Sequence, residues 1–281
     1  MNPGKVLERK ARDETAETAF AGLAAPLVQD TLKQAEGIVN GPSAEDLHQL
    51  RVSLRRLRSL WWAYRPLLDR VENTRQRALF KFLADAAGKT RDYDILIELL
   101  AIRPKTDGHW PPELAKAREH ALEASRETLS NADMKTLLHN ALAETSQALN
   151  STETRRPLQA FTDGRVAASE KDLTRRIRRA AKTKRSDYAA FHDVRKAGKK
   201  VRYLLELFGP VLSGRHQKTL KRLKKIQKRF GELNDVIASE ALLRENGELL
   251  NAVGDPEVTL AWFRKVRKRR MRAAAALLRN G

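Results

Sequence analysis

Apolar residues recur along almost the whole chain at spacings of three and four, the period of an α-helix with one buried face. Read along the sequence, this pattern gives helical segments over 6–39, 43–64, 71–87, about 92–101, 113–130 and 133–150, then over 157–186, 187–208, 215–230, 233–247 and 256–279. The breaks fall at Ala25-Pro26, Gly41-Pro42, Arg65-Pro66, Gly88, the proline-rich loop from Arg103 to Pro112, Gly209-Pro210, Gly231 and Gly254-Asp255-Pro256. Ser43, with Asp46 three residues on, predicts a capping box at the start of the second helix. No stretch alternates with period two, so no strand is expected and the fold class is all-α.

The helical pattern also repeats itself. Superposing the segment from Ala44 on the segment around Ala189 places His48 on His192 and Arg51 on Arg195. Arg55 and Arg56 fall on Lys199 and Lys200, Arg58 on Arg202, and the terminating Pro66 on Pro210. Apolar positions follow the same register: Leu47 meets Phe191, Leu50 meets Val194 and Leu57 meets Val201. Downstream, after a one-residue gap, Lys81 meets Lys224, Gly88 meets Gly231 and Asp92 meets Asp235. A helix–helix–Gly–Asp–helix unit thus occurs twice. This predicts two halves, 1–150 with a signature helix at 44–64 and 151–281 with one at 188–208, each a bundle of about four helices.

Charge sharpens the picture. The chain of 281 residues carries 55 Lys+Arg against 35 Asp+Glu, a formal net charge of +20. Residues 1–150 hold 22 basic and 21 acidic side chains and the remainder 33 and 14, so the excess lies in the second half. Such a field attracts polyanions: nucleic acid, an anionic lipid surface or polyphosphate. The absence of cysteine excludes disulfides and thiolate metal sites. The charged N-terminus MNPGKVLERKARDET shows no signal peptide, and no apolar run is long enough for a membrane span, so a cytoplasmic location is expected.

His48, Arg51, Arg55 and Arg58 stand at i, i+3, i+7 and i+10, one helical stripe about 15 Å long. Leu47, Leu50, Leu54 and Leu57 form the apolar stripe one position earlier, so the cations border the buried face. The second copy does the same with His192, Arg195, Lys199 and Arg202. Like charges in a half-buried row repel one another and lose hydration, so either carboxylates or an anionic ligand must neutralise them. Arg forks match phosphate oxygens, Lys supplies a point charge, and the thread-like polyphosphate chain matches a row of cations.

These motifs resemble the CHAD family, the conserved histidine α-helical domain. The resemblance rests on H-x-x-R-x-x-x-R-R-x-R at His48–Arg58 with its second copy at His192–Arg202, on G-x-x-R-D-x-D at Gly88–Asp94 and on G-E-L-N-D at Gly231–Asp235, and it spans nearly the whole chain. It implies two four-helix-bundle halves related by a pseudo-twofold axis, forming one CHAD domain. It also implies a basic cleft that binds inorganic polyphosphate, with an association with polyphosphate granules. The expected contacts are His48, Arg51, Arg55, Arg56, Arg58, Lys81, His192, Arg195, Lys196, Lys199, Lys200, Arg202, Lys224, Lys225 and Lys228. No triphosphate-tunnel domain of the kind some members carry has room here, so its catalysis is not inherited.

Blander readings stand beside these. Either histidine can be satisfied by a backbone carbonyl or carboxylate. Asp92 and Asp235, after glycines, read as N-caps or as carboxylates that orient the basic stripe. The runs Arg175–Arg185 and Arg264–Arg272 read as solvated faces, and Trp61, Trp62 and Trp262 as core rather than base-stacking platforms. In Leu54→Gly198, close helix approach is the expected reason for glycine. The expectation is a binding protein, not an enzyme, with no metal and no cofactor. Nucleic-acid binding or granule scaffolding by the same basic surface is the alternative, with nucleic acid as the weaker partner. Nothing in the pattern fixes an oligomeric state.

Overall fold

The computed structural model describes residues 14–39, 43–103, 111–183, 187–212 and 216–279. The start of the first predicted helix, the Gly41-Pro42 turn, most of the proline-rich loop and the end of the run to Arg185 lie outside the described residues. Among the described residues the elements are α1 (Ala16–Val39), α2 (Ala44–Tyr64), a 3-10 turn (Arg65–Leu67), α3 (Arg70–Ala86), α4 (Lys89–Ala101), α5 (Pro112–Asn131), α6 (Met134–Asn150), α7 (Leu158–Lys182), α8 (Tyr188–Phe208), α9 (Gln217–Glu245), α10 (Gly247–Ala252) and α11 (Pro256–Arg279). The protein is all-α. The described extended pairing is one isolated bridge, Thr15 with Pro157.

Local chemistry sets the ends of α2. The Ser43 hydroxyl accepts from the Asp46 amide, and the Asp46 carboxylate accepts from the Ser43 amide at 2.8 Å. Pro66 sits just beyond its last residue, and the chain tightens there into the 3-10 turn. Asp69 caps α3 by accepting from the Val71 and Glu72 amides, both at 2.9 Å.

Two predicted breaks do not occur. Pro26 lies inside α1, where Ala24 and Val28, both buried, anchor the helix on either side of it. Gly231 lies inside the 29-residue α9. Phe230, Leu233 and Val236 are buried around it, and this anchoring outweighs the ~1 kcal/mol that glycine costs a helix interior. Its counterpart Gly88 does separate two helices, α3 and α4. Consequently neither aspartate is the N-cap residue of a helix. Asp92 stands in the first turn of α4 behind Gly88, and Asp235 lies in the interior of α9. The short α10, capped by Asn246 accepting from the Leu249 amide at 3.0 Å, was not predicted.

The chain forms two compact units. Unit one draws on residues within 1–87, 126–171 and 200–220, and unit two on residues within 88–125, 172–199 and 221–281. Each unit therefore takes residues from both sides of position 150, a different division from the sequence repeat. In unit one α2 packs on α1 and α3, and α1 packs on α6. Its core is aromatic: Trp61 and Tyr64 each meet Phe20 edge-on at 4.9 Å, Phe80 covers Trp61 at 4.9 Å and Phe161 covers Tyr64 at 5.0 Å. The Trp61 indole donates to the Thr145 hydroxyl at 3.0 Å, satisfying its one polar atom. Unit two is built on aliphatic packing, with Leu96, Leu100, Leu114, Val236, Leu243 and Phe263 at its centre. Within it the buried Glu240 is held by Arg244 and Arg267, each at 2.9 Å.

Candidate polyanion-binding rows

On α2, His48, Arg51, Arg55 and Arg58 are half-buried, while Arg56 is exposed. Leu47, Leu50, Leu54 and Leu57 beside them are fully buried, which places the row along the edge of the unit-one core. The row does not stand alone. Burial holds the Arg58 guanidinium below its usual range; Asp85 opposes that effect and Arg55 adds to it. Arg77, on the neighbouring α3, is lowered by burial and then by Arg58 and Arg65. Asp85 is also shared with Lys81, which is exposed and ion-pairs with it. One carboxylate thus serves both Arg58 and Lys81 here. The buried Nδ1 of His48 and the buried Nε of Arg77 have no hydrogen-bond partner among the described residues.

A second knot of charge in unit one surrounds Trp62, 8% exposed at the end of α2. Arg165, Lys200 and Arg65 lie over its ring at 4.7, 5.0 and 5.3 Å. Arg165 also donates to the Ala63 carbonyl at 2.8 Å, capping the carbonyl end of the helix. Burial and the neighbouring Arg65 push the Arg165 guanidinium down to about 10. Sequence reasoning missed Arg65, Arg77 and Arg165. Arg77 sits four residues before Lys81 on α3 and was within reach of a stripe argument. Arg165, about a hundred positions from Trp62, carries no local signal.

On α8, His192, Arg195 and Lys199 are half-buried in unit two and Lys196 is exposed, while Lys200 and Arg202 belong to unit one. The row here is compensated. Tyr188 donates its hydroxyl proton to Asn234 Oδ1 at 2.9 Å, so its oxygen accepts from His192 Nδ1 at 3.1 Å. That contact leaves Nε2 of His192 to carry any further proton. Burial, then Lys196 and Arg195, lowers the His192 pKa, against the opposing pull of Asp193. The Asp235 carboxyl is raised by burial, an effect that Arg195, Asn234, Lys199 and Arg91 oppose. Asp235 is therefore a counter-charge set among the cations of the row. Arg202 pairs with Glu206 at 3.2 Å and lies over the Tyr203 ring at 5.0 Å. Lys224, Lys225 and Lys228 are exposed on α9.

Gly198, which replaces a leucine of the first copy, does not mark an exclusion zone. A Cβ there would meet Leu223 at 3.7 Å and Ile226 at 3.8 Å, ordinary contact distances. No group of three or more metal-ligating side chains occurs among the described residues, and no described helix is long and apolar enough to cross a membrane.

Comparisons with known proteins bear on this arrangement. No curated protein matches the chain. Among solved structures it resembles the CHAD domain from the plant Ricinus communis, at 21% identity and a TM-score of 0.78, over 95% of this chain and 93% of that one. It also resembles PptA from Streptomyces chartreusis, at 18% identity and a TM-score of 0.62, over 95% and 99% of the two chains. Both likenesses concern the fold. The family model of the CHAD domain matches residues 22–244, which take in both signature helices and both Gly–Asp segments, and the chain therefore belongs to the CHAD domain family.

Proposed function

We propose that this protein binds inorganic polyphosphate along the basic rows of α2 and α8, as a binding protein rather than an enzyme, and that this binding associates it with cytoplasmic polyphosphate granules. The observation that carries the reading is the pair Arg58 and Arg77, both half-buried: Arg77 is opposed by Arg58 and Arg65, and Arg58 has the carboxylate of Asp85 in common with Lys81. An extended anion offsets both the repulsion and the lost hydration. Membership in the CHAD family supports the same ligand. The exposed Lys224, Lys225 and Lys228 favour a second, weaker hold on nucleic acid from the outside of α9.

Titration of long-chain polyphosphate onto the protein at several salt concentrations tests the reading. A row neutralising about four phosphates should lose roughly fiftyfold in affinity between about 50 and 200 mM salt. Arg58→Ala/Arg77→Ala should weaken binding at least tenfold at fixed salt while the fold is retained. Undiminished binding by this variant, or affinity indifferent to salt, overturns the proposal.

A further inference from the structure

Unit two holds a groove that is unlike the rows. Its volume is about 780 Å³, within the range of small-molecule sites. Its apolar lining is Tyr188 of α8, Ile237 of α9 and Met271 of α11. Its basic lining is Arg264, Arg267, Lys268 and Arg272 of α11, and no carboxylate lines it. Arg267 is fixed in place by the buried Glu240 at 2.9 Å. Arg264, Lys268 and Arg272 stand at i, i+4 and i+8, exposed and with no carboxylate partner among the described residues. Like charges at this spacing destabilise the helix that carries them, and a bound anion relieves that.

The two linings ask for two chemistries in one ligand. A bare phosphate thread uses the cations and gains nothing from Tyr188, Ile237 and Met271. A purely apolar ligand leaves three guanidinium or ammonium groups uncompensated. From this juxtaposition we infer that the groove lined by α11, Tyr188 and Ile237 is a nucleotide site. It takes a nucleoside triphosphate with the base against the apolar lining and the phosphates along Arg264, Lys268 and Arg272. The inference is independent of polyphosphate binding on α2, whose residues do not line the groove; on α8 the groove borders the row through Tyr188, which bonds His192.

Methionine provides a local probe. The chain has three methionines, and Met271 lies in the groove whereas Met134 lies in unit one. In the full chain with ¹³C-methyl methionine, ATP should shift the Met271 resonance and leave Met134 in place; Met271→Leu assigns the signal. Tripolyphosphate, of similar charge but without a base, should need at least tenfold higher concentration for the same shift, and adenosine alone should give none at that concentration. Arg264→Ala/Lys268→Ala/Arg272→Ala should weaken the ATP-induced shift tenfold or more while long polyphosphate still binds through α2. Ile237→Ser, checked for folding by circular dichroism, should weaken ATP at least threefold and leave tripolyphosphate unchanged. A Met271 signal indifferent to ATP, or one that tripolyphosphate moves as readily, overturns the assignment.

Discussion

The two copies of the signature carry nearly the same cations and answer them with different neighbours. Arg58 on α2 and Arg77 on α3 are both half-buried, Arg58 adds to the lowering of Arg77, Asp85 answers Arg58 and Lys81, and His48 Nδ1 is buried with no hydrogen-bond partner among the described residues. On α8 the equivalent histidine is tied through Tyr188 to Asn234, and Asp235 sits among Arg195, Lys199 and Arg91. A conserved-looking motif therefore does not fix an electrostatic state; the residues that answer it from neighbouring helices do. In copy one the counter-charge is Asp85, set against Arg58 and Lys81; in copy two it is Asp235, set among Arg195, Lys199 and Arg91.

This contrast predicts unequal responses to mutation. The largest expected effect is on ligand affinity in copy one: Arg58→Ala/Arg77→Ala should cost at least tenfold in polyphosphate binding with unchanged or slightly higher thermal stability, since it removes repulsion. In copy two, Arg195→Ala strips Asp235 of the cation that opposes its burial most and should lower stability by about 1–2 kcal/mol, measured by denaturant unfolding. Equal stability changes in the two variants would erase the proposed asymmetry. Asp235→Asn should strengthen polyphosphate binding by about threefold to tenfold, because it removes an internal competitor of the ligand.

Smaller effects sharpen the comparison. Burial and Lys196 lower the His192 pKa, so the unfolded chain takes up its proton first as the pH falls. Its contribution to stability is thus complete above the ordinary histidine range and is lost as pH drops through the lowered folded value. Bound phosphate should oppose the shift, moving the His192 titration upward, and NMR with and without polyphosphate reads this directly. Gly231→Ala, in a helix interior with nothing within 4 Å of the added Cβ, should stabilise the protein by ~1 kcal/mol.

The sequence made the helices legible where local chemistry decides them. Ser43 with Asp46 and the Arg65-Pro66 end bracket α2 to the residue, and the three-four spacing of its leucines orients it. It misled where tertiary anchoring overrides a local breaker, at Pro26 and Gly231. The cation rows themselves were legible from spacing. Their compensation was not, because Arg165 reaches Trp62 and Asn234 reaches Tyr188 across long stretches of chain. Trp62 was read as core, and it is buried; its three overlying cations had no signature near it. The interleaving of chain segments between the two units was equally invisible to a repeat that pairs residues 44–64 with 188–208.

The central claim, that the signature rows select polyphosphate, is tested most directly by competition. Long-chain polyphosphate and duplex DNA compete for the native protein and for Arg51→Ala/Arg55→Ala/Arg195→Ala/Lys199→Ala at one salt concentration. The account predicts that DNA fails to displace polyphosphate at comparable charge concentration, and that the variant loses polyphosphate affinity far more than DNA affinity. Equal losses for both ligands, or ready displacement by DNA, would contradict it and reduce the rows to a generic basic surface.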